Sequence, residues 1–165
     1  MGLEVTLDGG QALSDALARA PHIVDQELGA FMAVAIDHLA TEVRDRTPSA
    51  FGHLRGSIAG TVRHSAGGVL GVVGTPLPYA IPVELGTKPH RPPMQPLEDW
   101  ARKKFGVPKR EARRIAYLVA RKIGREGTQG AFMFKKAFEA NEGEITRQFD
   151  LALARIVNRI QQEAT

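Results

Sequence analysis

Two segments rich in proline and glycine set what this chain can fold into: Thr47 to Ile58 (TPSAFGHLRGSI) and Tyr79 to Pro93 (YAIPVELGTKPHRPP). Pro48 pushes Thr47 out of the helical region, so a helix arriving there must stop. Pro76 and Pro78 end what precedes the second segment, and Pro82 keeps Tyr79 to Leu85 from being a central strand, leaving a helical turn or an edge segment. Between the two segments the apolar residues alternate in the manner of a half-buried strand, whereas outside them they recur at steps of three and four, as on one face of a helix. Helices joined to a small sheet at two seams are therefore expected.

In chain order, Leu3, Val5 and Leu7 alternate with polar residues and predict a terminal edge strand, broken by Gly9-Gly10. Gln11 to Ala20 suits a short helix, with Pro21 at the first position of the next one, where its missing N–H costs nothing. That next helix, His22 to Arg46, carries an apolar stripe of Val24, Leu28, Phe31, Met32, Ala35, Leu39 and Val43. Leu54, Ile58 and Val62 are expected on one face of a strand, with Arg55, Ser57, Thr61 and Arg63 on the other. A turn at Ser65 to Gly68 leads to a return strand, Val69 to Thr75, in which Gly71 and Gly74 imply a bend or a close backbone approach.

Four prolines make Lys88 to Pro96 an extended, stiff arm. Leu97 to Phe105 follows as a short helix ended by Gly106, and Lys109 to Ile123 as another, with Ile115, Leu118, Val119 and Ile123 on one face. Gly124 to Gly130 is expected to be a flexible joint. The last helix, Phe132 to Gln162, repeats Phe134, Phe138, Ile145, Phe149, Leu153, Ile156 and Ile160, and Asn141 with Gly143 marks a place for a kink or a break. The expected division is a core of residues 1–130, holding the arm 88–96 and the basic helix 109–123, and a C-terminal helix in residues 131–165.

A chain of 165 residues is long enough for one domain with a core of its own. The absence of cysteine excludes disulfides and thiolate metal sites. The first residues lack a signal-peptide pattern and no apolar run reaches spanning length, so a soluble protein with no membrane contact is expected. Charge is uneven: Arg102 to Arg125 holds ten basic residues against Glu111 alone, which leaves a net of −5 for the rest of a chain whose total is +4. Such asymmetry suits a charged partner, either nucleic acid or the acidic face of a neighbouring subunit.

None of the five histidines stands at a metal-ligand spacing, and the chain carries no nucleophile elbow, Walker loop or dinucleotide fingerprint. The glycines of GREGTQG lack the Lys-Ser/Thr of a phosphate loop and read as a linker. Glu84, His90 and Asp99 would be the only acid–base set to consider. Against it, a glutamate just before Gly-Thr commonly accepts hydrogen bonds from nearby backbone or an arginine. With no nucleophile or metal to serve, a non-enzyme without cofactors is expected. The basic stretch is the better candidate, through Arg102, Lys103, Lys104, Arg110, Arg113, Arg114, Arg121 and Lys122, as a solvated face, an intersubunit contact or a nucleic-acid surface. Gly52 is expected at positive φ, and Arg55 is a candidate ion-pair partner for Glu84.

Thr47-Pro48, then Gly52-x-Leu54-Arg55-x-Ser57-Ile58, then Tyr79-Ala80 and Val83-Glu84-x-Gly86-Thr87, then the Phe-rich start of the last helix (AFMFKKAFEA), together resemble the neck and tail-completion proteins of long-tailed phages. The Pro-His-x-Pro-Pro after Gly-Thr and the Pro-Leu-x-x-Trp helix are similar to the Mu-like prophage version. The sequence departs from that pattern at Ala50 and Phe51, where the family commonly has Asp and Thr. The resemblance implies an α+β fold, with a small curved antiparallel sheet packed on a long helix and additional C-terminal helices. It also implies a structural virion protein of the head–tail junction, assembled in the host cytoplasm as a homo-oligomeric ring between portal or connector and tail, meeting other connector and tail proteins and the passing DNA. The alternative is a nucleic-acid-binding accessory protein using residues 102–125. A DNA binder loses affinity steeply as salt rises, whereas a ring subunit need not bind free DNA at all.

Overall fold

The computed structural model describes residues 10–48, 52–65 and 68–164. The strand expected at Leu3 to Leu7, and the departures at Ala50 and Phe51, lie outside them. The fold is α+β: a long helix, two small two-stranded antiparallel sheets and further helices towards the C-terminus.

Helix α1 runs from Gly10 to Arg46 and carries Pro21 inside it, so the expected break is absent. Ala16 and Ile23 explain why. They stand seven positions apart, which a continuous helix places on one face, and they are 0% and 2% exposed. Burying that face offsets the cost of about 3 kcal/mol for an interior proline. Further along, Phe31 and Val43 of the expected stripe are buried, with Ile36, Ala40 and Thr47 beside them, while Leu28, Met32 and Leu39 of that stripe are half-buried. With apolar residues on adjoining lines, periodicity alone could not choose between them.

The chain divides into two compact units, the first made of Met1–Leu39, Gly60–Val73 and Ala140–Thr165, the second of Ala40–Ala59 and Gly74–Glu139. In the first, strands β1 (Ala59–Ser65) and β2 (Gly68–Gly74) pair with each other over α1. A Cβ at Gly60 or Gly71 would overlap the Ile36 side chain, so these glycines let the strands approach the helix closely. Gly71 thus has the close approach expected of it. Gly74 has open space instead.

The C-terminal part of α6 (Met133–Glu163) completes this unit. Phe31 and Phe149 meet at 5.6 Å between ring centroids, and Glu27 accepts from Arg155 at 3.0 Å and Arg159 at 2.9 Å. The helix passes unbroken through Asn141 and Gly143. Asn141 is 9% exposed and its Oδ1 lies 2.8 Å from His38 Nε2, so a residue of poor helical propensity is held by a part-buried polar contact.

The second unit gathers the last turns of α1, α2 (His53–Ser57), α3 (Ala80–Leu85), β3 (Gly86–Thr87), α4 (Met94–Phe105), α5 (Lys109–Glu126), β4 (Thr128–Gln129) and the first turns of α6. Residues Leu54 to Ser57 were expected in a strand and form helix α2 instead. Leu54 and Ile58 are four apart, one helical turn, and both are buried at 5% and 1% exposure. Prolines shorten the expected arm as well: α4 begins at Met94, placing Pro96 in its first turn, where no hydrogen bond is lost. Gly106, at φ 65°, closes α4 by donating its N–H to Arg102 O at 2.9 Å. Helices α4 and α5 pack together, and the fully buried Ala101, Ala112 and Ala116 keep the small volume that such an approach requires.

Candidate functional site

The motif residues from Thr47 to Thr87 all fall in the second unit, where Thr47 and Glu84 meet the start of α6. Thr47 terminates α1, donates its Oγ1 to Val43 O at 2.6 Å and stands 3.2 Å from Met133 Sδ, the first residue of α6. Pro48 follows it at the surface. Gly52 takes the expected positive φ, 81°, at the start of α2. Leu54 fills the interior, and Ser57 Oγ donates to Leu54 O at 2.8 Å and lies 2.6 Å from Thr75 Oγ1.

Glu84 holds the start of α6. Its Oε2 accepts from the Phe134 N–H and its Oε1 from the Lys135 N–H, each at 3.1 Å, while its carbonyl accepts from Phe132 at 3.1 Å and that of Val83 from Ala131 at 2.9 Å. Helix α6 has no acid in its first turn. The carboxylate supplied by α3 thus meets orphan N–H groups and the positive end of the helix dipole. The pairing of Arg55 with Glu84 does not occur: Arg55 Nη2 binds Asp45 Oδ1 at 2.5 Å, because helix α2 turns Arg55 towards the end of α1. Tyr79 sits at the N-cap position of α3, 45% exposed.

Gly86 and Thr87 form β3 and pair antiparallel with β4, Gly86 opposite Gln129 and Thr87 opposite Thr128. The two threonine hydroxyls stand 2.9 Å apart. This overturns the flexible joint at Gly124 to Gly130, which continues α5 to Glu126 and then enters the sheet. A side chain at Gly86, Gly127 or Gly130 would overlap facing backbone, so these glycines serve close strand approach. No local signal marked this pairing: the dipeptide Gly-Thr at Gly86-Thr87 and Gly127-Thr128 also occurs at Gly60-Thr61 and Gly74-Thr75, outside this sheet.

The basic residues lie on the α4–α5 pair. Arg102, Lys103 and Lys104 occupy the last turn of α4, where the helix dipole favours cations, and Lys104 Nζ lies 5.2 Å from the Trp100 ring centroid. Arg110, Arg113, Arg114, Arg121 and Lys122 are exposed along α5, and Arg113 comes within 3.9 Å of Glu98. Of the apolar face expected there, Ile115, Val119 and Ile123 are half-buried and Leu118 is 50% exposed. The arm is tied to its own unit, since the His90 N–H donates to Ile123 O at 3.4 Å at the end of α5.

Glu84, His90 and Asp99 have separate engagements. Glu84 caps α6, His90 Nδ1 lies 3.0 Å from Lys88 O, and Asp99 accepts from Gln95 at 3.1 Å. Among the described residues no group of three histidine or carboxylate side chains could hold a metal ion. The first unit has a cavity of about 440 Å³ lined by Phe31, Val34, Ala35, His38, Glu144 and Ile145 among others. Hydrogen bonds from Arg147 and then Gln148 pull the Glu144 pKa down to about 2, and those from Arg155 and Arg159 lower that of Glu27. A carboxyl held so low accepts hydrogen bonds and does not donate a proton near neutrality.

Among the described residues no helix is long and apolar enough to cross a membrane. Compared with known proteins, the chain matches no family model, no curated protein and no solved structure.

Proposed function

We propose that this chain is a structural subunit of the head–tail junction of a long-tailed phage, joining further copies of itself in a ring between portal or connector and tail. One observation carries the proposal: the two motif segments meet the start of the last helix. Thr47 reaches Met133 across 86 positions, and Glu84 reaches Phe134 across 50. Short patterns that arose by chance have no reason to converge in space. Thr47 and Glu84, from the two segments that resemble the neck and tail-completion family, together seat the last helix, which supports that reading.

Surface chemistry supports an assembling subunit. On α3, Ile81 and Leu85 stand one helical turn apart and are each 65% exposed, with Tyr79 at 45% just before them. Apolar side chains grouped in this way are covered when subunits meet. In this reading the chain works by fit and contact, its partners are connector and tail proteins, and it ends up in the virion.

Labelling tests it. A tag on the C-terminus, decorated with gold and viewed on assembled particles, is expected to place the label at the junction of head and tail. Label on the capsid shell or tail tip, or particles with none, would remove the proposal.

A further inference from the structure

The arginines of α5 share a face. At about 100° per residue, Arg110, Arg114, Arg121 and Arg125 fall within an arc of about 60°, bordered by Arg113 and Tyr117. All are exposed, Tyr117 at 60%, and the buried Ala112 and Ala116 lie on the opposite side. Arg110 and Arg125 are separated by about 22 Å along the helix axis.

These side chains do little for the fold. Among the described residues Arg110, Arg114, Arg121 and Arg125 make no ion pair or hydrogen bond, whereas Arg44, Arg46, Arg55, Arg147, Arg155 and Arg159 are all engaged. Lys109, Arg110, Arg113 and Arg114 also crowd the first turns of α5, with Glu111 the only acid there. Cations at that end oppose the helix dipole and cost stability. A row of unpaired charges, of which Arg110 and Arg114 stand against the dipole, is explained by an external anion. Each guanidinium offers the fork of donors that matches phosphate oxygens.

We propose that this face of α5 is a sequence-independent binding surface for the phosphate backbone of duplex DNA. The straight line of arginines suits a duplex edge, and Tyr117 places a hydroxyl among them that can also donate to a phosphate. One exposed aromatic is too few for a single-strand stacking platform, and the face carries no Asn or Gln to read adenine edges. An acidic surface on a second copy is the competing partner: Glu27, Glu42, Asp45, Glu144 and Glu163 are each held by an arginine of the same chain, and competition with polyglutamate tests the remaining carboxylates. The inference rests on α5 alone and stands or falls separately from the junction reading.

Fluorescence anisotropy of the full chain with a labelled 24-base-pair duplex, titrated between 50 and 200 mM salt, tests it. Contact with four or five phosphates gives a slope of log affinity on log salt of about −4, independent of DNA sequence. The triple variant Arg110→Gln, Arg114→Gln, Arg121→Gln is expected to reduce that slope by about 2.7 and to weaken binding more than tenfold at 100 mM salt. The charge-matched variant Arg63→Gln, Lys135→Gln, Lys136→Gln keeps the slope. Should the triple variant lose its helical circular dichroism, Arg121→Gln alone is expected to reduce the slope by about 0.9. No saturable binding at 50 mM salt, equal losses in both triple variants, or stronger competition by polyglutamate than by duplex of equal charge would overturn the proposal.

Discussion

The Glu84 carboxylate of α3 accepts the backbone N–H of Phe134 in the first turn of α6, at 3.1 Å. Its second oxygen takes the neighbouring N–H of Lys135 at the same distance. The cap is thus supplied by a residue 50 positions earlier in the chain, and the helix start is fixed to α3 as well as satisfied.

Removing that carboxylate should be felt by the whole second unit. Glu84→Ala is expected to cost about 1–2 kcal/mol, the worth of a good helix cap, read as a lower urea midpoint at an unchanged slope. Glu139→Gln, on an exposed side chain 3.7 Å from Lys135, should stay within about 0.5 kcal/mol. Equal effects would mean that the cap has no special role.

Two glycine substitutions should act in opposite directions. Gly127 has φ 76° and faces Thr87 O, so Gly127→Ala forces β3 and β4 apart and should destabilise by more than about 2 kcal/mol. Gly143 lies inside α6 with open space around it, and Gly143→Ala should stabilise by up to about 1 kcal/mol. Thermal melts of the two variants give the comparison directly.

Acid sensitivity should trace to two carboxylates. Hydrogen bonds from Arg155, then Arg159, lower the Glu27 pKa, and those from Arg147 and Gln148 bring Glu144 from 4.5 to about 2. A group with a lowered folded pKa stabilises above its unfolded value and loses that contribution as pH falls through the folded one. Glu144→Gln should therefore lower the melting temperature at pH 7, with the difference from wild type closing between about pH 4.5 and pH 2. Glu27→Gln should behave in the same sense. A constant offset across that window would mean the ion pairs are not the source.

The α4–α5 contact should be intolerant of bulk. Ala116 is 0% exposed, and Ala116→Leu is expected to cost about 1–3 kcal/mol through overpacking. The exposed Leu118→Ala two positions along, on the other side of the helix, should be nearly neutral, as equilibrium unfolding would show.

The seams were legible because they rest on backbone rules. Pro48 stops α1, Gly52 adopts a positive φ and Gly106 ends α4, each a consequence of what that residue's own φ allows. Where tertiary packing decided, local rules failed. Pro21 stays in α1 because Ala16 and Ile23 share a buried face, and Leu54 to Ser57 turn helical because an apolar spacing of four fits one turn as well as two strand repeats. Gly124 to Gly130 looked like a linker because its strand partner lies about forty positions earlier, at Gly86 and Thr87. The motif residues were visible as an ordered set, but their partners, Asp45 for Arg55 and Met133 for Thr47, exist only in space.

The junction reading is tested most directly by imaging particles from a phage-producing strain in which this chain is not made. DNA-filled heads beside finished, unattached tails are the result expected of a head–tail joining protein, with attachment restored when the chain is supplied again. Intact, infectious particles in its absence would contradict the account.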